Sequence, residues 1–237
     1  MEIPHIIHQI WVSDSTPLPQ IFIDMSNTWK RDYPSWEYKF WGKKEIDNFL
    51  KDNFPEFVDI FYKFPFDIQR LDAIRYLILY KMGGMYVDVD YESISNMSEL
   101  FINKTCCFAL EPKSHIYSLP KLYEKVFNNA LMLSVPGHPF MKKIIEKVFS
   151  RKTLSHETSN KDLCVMETTG PWMLVDMFYK MSKCEKDGVF LIPSEFVSPL
   201  DFWQISSFIE GNRTHELESY IEKAYAVHYF FGMWKEK

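Results

Sequence analysis

Long hydrophobic runs are missing from this chain. No stretch among its 237 residues approaches the ~20 consecutive apolar residues that cross a bilayer as a helix. The N-terminal MEIPHIIHQIW has no basic leader, no extended apolar segment and no small-residue cleavage site, so a cytoplasmic setting is expected rather than secretion. Without secretion, the N-x-S/T sequons at Asn96, Asn103 and Asn212 carry no glycosylation meaning. Cysteine is scarce. Cys106 and Cys107 are adjacent, and Cys164 and Cys184 are distant singles, a pattern that matches neither zinc-ligand spacing nor a disulfide framework, so reduced thiols are expected. Positive charge is short as well: 27 Lys and Arg against 32 Asp and Glu leave a formal net charge of −5. The basic residues are scattered, which excludes a nucleic-acid polyanion as the main partner. There is no internal repeat, low-complexity tract or linker, so residues 1–237 are expected to form a single domain.

Aromatic residues are plentiful, with 7 Trp, 13 Tyr and 20 Phe; most must be core, and the remainder can stack on planar ligands. From the N-terminus, Ile3 to Val12 is β-branched and apolar and predicts a buried first strand, followed by the loop Ser13-Asp14-Ser15-Thr16-Pro17. Gln20 to Arg31 predicts a helix, Trp36 to Trp41 a second strand and Glu45 to Phe54 a second helix. This β-α-β-α start is the pattern of an α/β fold with a parallel sheet. Asn53 to Pro65 reads as a surface connection. Further on, Thr105–Leu110, Ala130–Ser134, Val189–Ile192 with Phe196, and Ala224–Phe230 read as strand material. Pro120–Asn129, Phe140–Ser150, Trp172–Met181 and Glu216–Lys223 read as helices, and Arg151–Asp162 as a loop.

The most informative stretch is Phe66–Glu92. Leu71, Ile74, Leu77 and Ile78 recur at helical spacing from Ile68 to Lys81, and Gly83-Gly84 supplies the stop. From Met85 to Tyr91 the period becomes two: Met85, Val87, Val89 and Tyr91 lie on one face, and Tyr86, Asp88 and Asp90 on the other. Two neighbouring carboxylates repel unless a cation joins them, and hard oxygen ligands suit Mg²⁺ or Mn²⁺. Asp72 and Arg75 are three apart on the preceding helix and therefore share a face, where carboxylate and guanidinium can hold a polar ligand. Trp11 ends the first strand, and its position alone favours a core aromatic.

The run LDAIRYLILYKMGGMYVDVD closely resembles the sugar-binding region of glycosyltransferase family 32 and, more distantly, the catalytic core of the large clostridial glucosylating toxins. The opening IPHIIHQIW, Pro136–Phe140, Thr169-Gly170-Pro171 and His228–Trp234 resemble other blocks of that family. The resemblance implies a GT-A fold, Rossmann-like with a mostly parallel central sheet flanked by helices. Its nucleotide-sugar part would be about 1–112, and its acceptor-side and closing part about 113–237. It implies a retaining hexosyltransferase using Mn²⁺ or Mg²⁺ and a nucleotide-sugar. Carried over by position, Trp11 stacks on the base, and Asp72 and Arg75 hold the donor sugar. Asp88 contacts ribose and sugar and binds metal directly or through water, Asp90 is the direct metal ligand, His228 is a further ligand, and Trp234 closes over the diphosphate. His5, His8 and His138 are assigned structural places. UDP-galactose is the favoured donor, ahead of GDP-mannose, UDP-N-acetylglucosamine and UDP-glucose. The acceptor expected is a glycan, free or on a lipid carrier, in bacterial capsule or lipopolysaccharide synthesis. The aromatic and basic end formed by Phe230, Phe231, Trp234, Lys235 and Lys237 has two readings, peripheral contact with the inner membrane face or packing of its aromatics in the core. Two other classes compete: a haloacid-dehalogenase-like phosphohydrolase, which places its DxD early and wants Thr or Val soon after it where this chain has Tyr91-Glu92, and a silent sugar-nucleotide-binding module.

Overall fold

A computed structural model describes residues 2–13, 16–118, 123–154 and 160–232. Its strands are β1 Ile6–Ile10, β2 Glu37–Trp41, β3 Gly84–Val87, β4 Tyr91–Ser93, β5 Cys106–Leu110, β6 Phe127–Ser134, β7 Phe190–Ile192 and β8 Ala226–His228. The helices of the first half are α1 Gln20–Asp32, α2 Lys43–Asn53, α3 Val58–Lys63 and α4 Asp67–Met82. Those of the second half are α5 Pro139–Val148, α6 Arg151–Leu154, α7 Lys161–Thr168, α8 Pro171–Tyr179, α9 Lys183–Asp187, α10 Ser194–Val197, α11 Phe202–Ile209 and α12 His215–Ile221.

Six strands form one sheet in the order β2-β1-β3-β6-β5-β7, and β4 pairs with β8 in a second, two-stranded sheet. In the large sheet β6 alone runs against its neighbours β3 and β5, so the sheet is mostly parallel, as expected. Both faces are covered. Tyr86 points into the apolar layer of α2, α4 and α5, whereas Met85 and Val87 point into the layer holding Trp29 of α1. That alternation follows from the period of two read in the sequence.

Helix α4 is more deeply set than its single apolar stripe suggests. Ala73, Ile74, Tyr76, Leu77, Ile78 and Leu79 are all fully buried, because the helix lies on β3 and β6 and is covered in turn by α2, α3, α5 and α7. Its stop is exacting. Gly83 (φ +67°) and Gly84 (φ +96°) both adopt backbone conformations that disfavour L side chains. A Cβ on Gly84 would lie 2.6 Å from the Ile6 carbonyl oxygen, so β1 can approach the turn only because no side chain is there. His8 fastens the same corner: its Nε2 meets the Gly83 carbonyl at 2.9 Å and its Nδ1 accepts from Trp41 Nε1 at 3.2 Å. Burial pushes the His8 imidazole down to about 4, so it is neutral and structural.

Several sequence expectations are corrected. The strand expected over Met85–Tyr91 ends at Val87, and Asp88–Asp90 form a turn closed by Tyr91 N donating to Asp88 O at 3.2 Å. Beyond it the chain joins the second sheet. Phe127–Asn129 belongs not to a helix but to β6, whose eight residues are all buried; pairing on both edges overrides local helix preference. Phe196 lies in α10, Asn53–Pro65 contains α3 and buried Phe61 and Phe64, and the first and last strands are shorter than predicted. Asp14 and Ser15, the start of the expected helix at Pro120, part of the expected loop before Asp162, and Trp234, Lys235 and Lys237 lie outside the described residues.

Replacing Gly84 by Ala introduces both the unfavourable φ and the clash with Ile6, and is expected to destabilise the fold by on the order of 1–3 kcal/mol. A lowered urea midpoint at unchanged m-value checks it.

Candidate active site

The Asp88–Asp90 turn leaves the edge of β3 with its backbone still anchored, since Asp88 N donates to Ala130 O at 2.7 Å. Gln9 Nε2 reaches the Asp88 carbonyl at 3.3 Å, and Tyr38 Oη donates to Gln9 Oε1 at 2.5 Å, which ties the turn to β1 and β2. On the other side, the β4–β8 pairing sets Tyr91 opposite His228, and the two rings stack at 4.3 Å. His228 Nε2 therefore stands 3.4 Å from Asp90 Oδ1. The segment after β8 completes the grip: Tyr229 N donates to Asp90 O and Phe231 N to Asp90 Oδ2, each at 3.0 Å.

One ligand atom from each of Asp88, Asp90 and His228 lies within 4.8 Å of the other two. The electrostatics are uneven. Burial, reinforced by Asp90, pushes the Asp88 carboxyl above its ordinary range against the pull of Arg75. Burial presses Asp90 the same way, but the His228 imidazole outweighs it and holds Asp90 below the ordinary range. Burial also disfavours a charged His228, yet Asp90 overcomes this and raises the imidazole. His228 Nδ1 is buried with no hydrogen-bond partner among the described residues, an orphaned polar atom of the kind buried sites rarely leave. Two carboxylates and one imidazole fit a divalent ion such as Mn²⁺ or Mg²⁺, which would relieve the repulsion between the aspartates.

Behind the turn is a buried polar lattice. Arg75 Nη1 donates to Asp88 Oδ1 at 3.1 Å and to Asn129 O at 3.0 Å, its Nε donates to Leu71 O at 3.1 Å, and its Nη2 faces Asp72 Oδ1 at 3.5 Å. Tyr86 Oη adds a 2.5 Å bond to Asp88 Oδ1, and the guanidinium lies 4.7 Å over the Tyr86 ring. Asp72 is held at both oxygens, by Asn129 Nδ2 at 2.8 Å and by Thr169 Oγ1 at 2.9 Å. Tyr76 closes the ring by accepting from Asn129 and donating to Thr169 O at 2.6 Å. Burial raises the Asp72 carboxyl, and Arg75, Thr169 and Asn129 offset part of that rise.

The sequence-nominated Asp72, Arg75, Asp88, Asp90 and His228 thus come together. Trp11 stands just after β1, half-buried, in one small apolar cluster with Phe22, Tyr229, Phe231 and Val89, the middle residue of the turn. Trp234 lies outside the described residues. Of the two places open to Phe230 and Phe231, a membrane surface and the core, both take the inner one: the Phe230 ring is 4.0 Å from that of His228, and Phe231 packs on Phe22. Sequence reasoning missed Asn129, Thr169 and Gln9 as parts of the site. Asn129 was hidden by its assignment to a helix. Tyr86 is placed on the Asp88 face by the period of two, and Thr169 lies in a block that resembles the family without a role for its hydroxyl.

Residues 19–107 match the family described as "Glycosyltransferase sugar-binding region containing DXD motif". The chain is 27% identical to Inositol phosphoceramide mannosyltransferase 1 of Schizosaccharomyces pombe over 81% of its own length and 56% of that protein. It is 30% identical to Inositol phosphoceramide mannosyltransferase 2 of the same organism over 76% of its own length and 48% of that protein. The chain therefore spans about half the length of these curated relatives. Among solved structures, PaToxG Glycosyltransferase aligns with 92% of this chain and 76% of that one, at a TM-score of 0.57 and 14% identity. The fold is accordingly that of the GT-A glycosyltransferases. The sugar-binding region of the chain, residues 19–107, is that of the DXD-containing glycosyltransferases.

Two outcomes follow from the geometry. A hydrogen bond to a buried charge is worth about 1.5–3 kcal/mol. Thr169→Val should lower unfolding stability by that order, and Thr169→Ser, which keeps the hydroxyl, should lower it much less; urea denaturation separates them. For the metal end, His228 must lose its proton to act as a ligand, and its pKa is raised. Mn²⁺ affinity measured by calorimetry should therefore climb as pH rises above the ordinary imidazole value of about 6.5. In the metal-free protein the sign reverses: the raised His228 stabilises at low pH, and that contribution is lost as pH rises through its folded value. An Mn²⁺ affinity flat across this range would remove His228 from the ligand set.

Proposed function

We propose that this chain is a metal-dependent, retaining hexosyltransferase that takes mannose from GDP-mannose and delivers it to a hydroxyl of an inositol-bearing lipid headgroup. The observation that carries the transferase reading is the convergence of Asp88, Asp90 and His228 with the Asp72–Arg75 lattice at the end of β3. Mannose and a lipid headgroup are favoured over the galactose and bacterial glycan expected from the sequence because the relatives are named inositol phosphoceramide mannosyltransferases. The GT-A fold leaves the phosphohydrolase alternative without support.

Asp88, Asp90 and His228 would hold a divalent ion, which would supply positive charge against the departing diphosphate. The remaining work falls to the protein. Asp88, Asp90 and His228 hold the ion's place, and the stacked Tyr91 ring fixes the His228 plane. Arg75 acts first as countercharge to Asp72 and Asp88, its Nε and Nη1 hydrogens already engaged, which offsets part of the cost of burying the two carboxyls. Asp72 is buried with both oxygens bonded, so it is suited to position a sugar hydroxyl and poorly suited to attack the anomeric carbon. With Asp72 so engaged, retention points to attack on the face the leaving group departs from. Trp11, with its indole N–H 3.4 Å from Thr16 O, offers a ring for the base.

The test is a panel of GDP-mannose, UDP-galactose, UDP-N-acetylglucosamine and UDP-glucose with Mn²⁺, reading slow donor hydrolysis by chromatography. GDP-mannose should turn over fastest, and Asp90→Ala should abolish metal-dependent turnover while its circular dichroism stays native. Turnover of a UDP-sugar with none of GDP-mannose would overturn the donor, and full activity in Asp90→Ala would overturn the metal site.

A further inference from the structure

Helix α11, FWQISSFI, has eight residues and no charged side chain. A surface helix normally turns its apolar residues inward. Here Ile205 is buried, but Trp203 is 76% exposed, Ile209 49% and Phe202 48%. Phe202, Ser206 and Ile209 follow one line along the helix at i, i+4 and i+7, with Trp203 on the adjoining shoulder. Phe208 is half-buried beneath the Arg213 guanidinium, which lies 4.6 Å from its ring. The apolar stripe runs about 12 Å, longer than one sugar ring.

The helix is tied to the metal end. Asp201 caps it and accepts from Ser114 Oγ at 2.8 Å, while Phe202 N donates to His115 Nε2 at 3.1 Å. His115 Nδ1 meets Glu111 Oε2 at 2.5 Å, and its ring stands edge-on to Phe230 at 5.1 Å, which in turn packs on His228. Whatever α11 rests on is therefore held in a fixed relation to the metal ligands.

Charge narrows the occupant. Beyond α11 come exposed Glu210, then Glu216 and Glu218 on α12 and Glu222 after it, against Arg213 and Lys223. That flank does not suit an anionic surface. The exposed apolar side chains amount to a few hundred Å², short of the ~800 Å² per partner of a stable protein interface. Trp and Phe on an uncharged helix are the residues that settle at the headgroup level of a bilayer.

We propose that α11 is an interfacial docking helix that inserts Phe202, Trp203 and Ile209 into the headgroup region of a neutral bilayer and sets the metal end of the site against the lipid surface. Its use rests on the lipid-headgroup acceptor of the proposed function, but the docking is measurable without turnover. The full chain is sedimented with vesicles of phosphatidylcholine alone and of phosphatidylcholine with phosphatidylserine, at low and high salt. The wild type should bind phosphatidylcholine vesicles with little salt dependence. The Phe202→Ser/Trp203→Ser double variant should bind about tenfold more weakly, with unchanged circular dichroism and Mn²⁺ affinity. The proposal is overturned by no binding to either vesicle, by salt-sensitive binding to the serine lipid alone, or by equal binding of the variant. A dimeric wild type made monomeric by the double substitution would assign the face to self-association and also overturn it. Absent vesicle binding with intact GDP-mannose turnover sinks the docking alone, and vesicle binding without turnover of any nucleotide-sugar sinks the proposed function alone.

Discussion

Two carboxylates side by side at the end of a buried strand form an arrangement that water would tolerate and a protein interior does not. Asp88 and Asp90 are kept there by two basic groups brought from different directions, the Arg75 guanidinium from α4 against Asp88 and the His228 imidazole from β8 against Asp90. Breaking either pair would leave an uncompensated charge in a low-dielectric setting, a penalty larger than most single packing contacts contribute. The positions of α4 and of the small second sheet are thus bound to the chemistry of the turn between them.

Each pairing has its own structural support. Arg75 is held by Leu71 O, Asn129 O and the Tyr86 ring, so its charge is directed before any ligand arrives. That direction depends on α4 meeting β3 at a fixed angle, which the Gly83-Gly84 corner and the neutral His8 clamp provide. His228 is aligned by stacking on Tyr91, whose carbonyl accepts from Trp29 Nε1 at 2.9 Å and whose hydroxyl bonds Ser198 at 2.9 Å. The apolar core on either side of the sheet therefore sets the electrostatics of the site.

Much of this was legible in the order of residues. The switch from helical spacing to a period of two across Gly83-Gly84 locates α4, β3 and the acidic pair, because spacing and glycine conformation are local properties. The end of β3 at Val87 was not legible, since alternation continues through Asp88–Asp90 while the chain leaves the sheet for a partner, β8, well over a hundred residues away. Asn129 and Thr169 escaped for the same reason: their importance lies in meeting Asp72, a long-range contact that no local pattern records. His228 and Trp11 could be nominated only by resemblance to a family, and their neighbourhoods, Tyr91 in one case and Val89 in the other, emerge from the fold.

The backbone at Phe230 shows what the grip on Asp90 requires. A bulky residue rarely takes a positive φ, yet Phe230 has φ +50°, a strain on the order of 1–3 kcal/mol. The residues on either side of it both donate to Asp90, Tyr229 N to the carbonyl and Phe231 N to Oδ2. An extended strand points the N–H groups of residues two apart the same way but along a straight path, whereas here the chain must bend round a turn to reach both oxygens. The left-handed residue supplies the bend, and its ring, wedged between His228 and His115, holds it in place. The strain is local, and it sits between the residues that hold Asp90 in position for an ion.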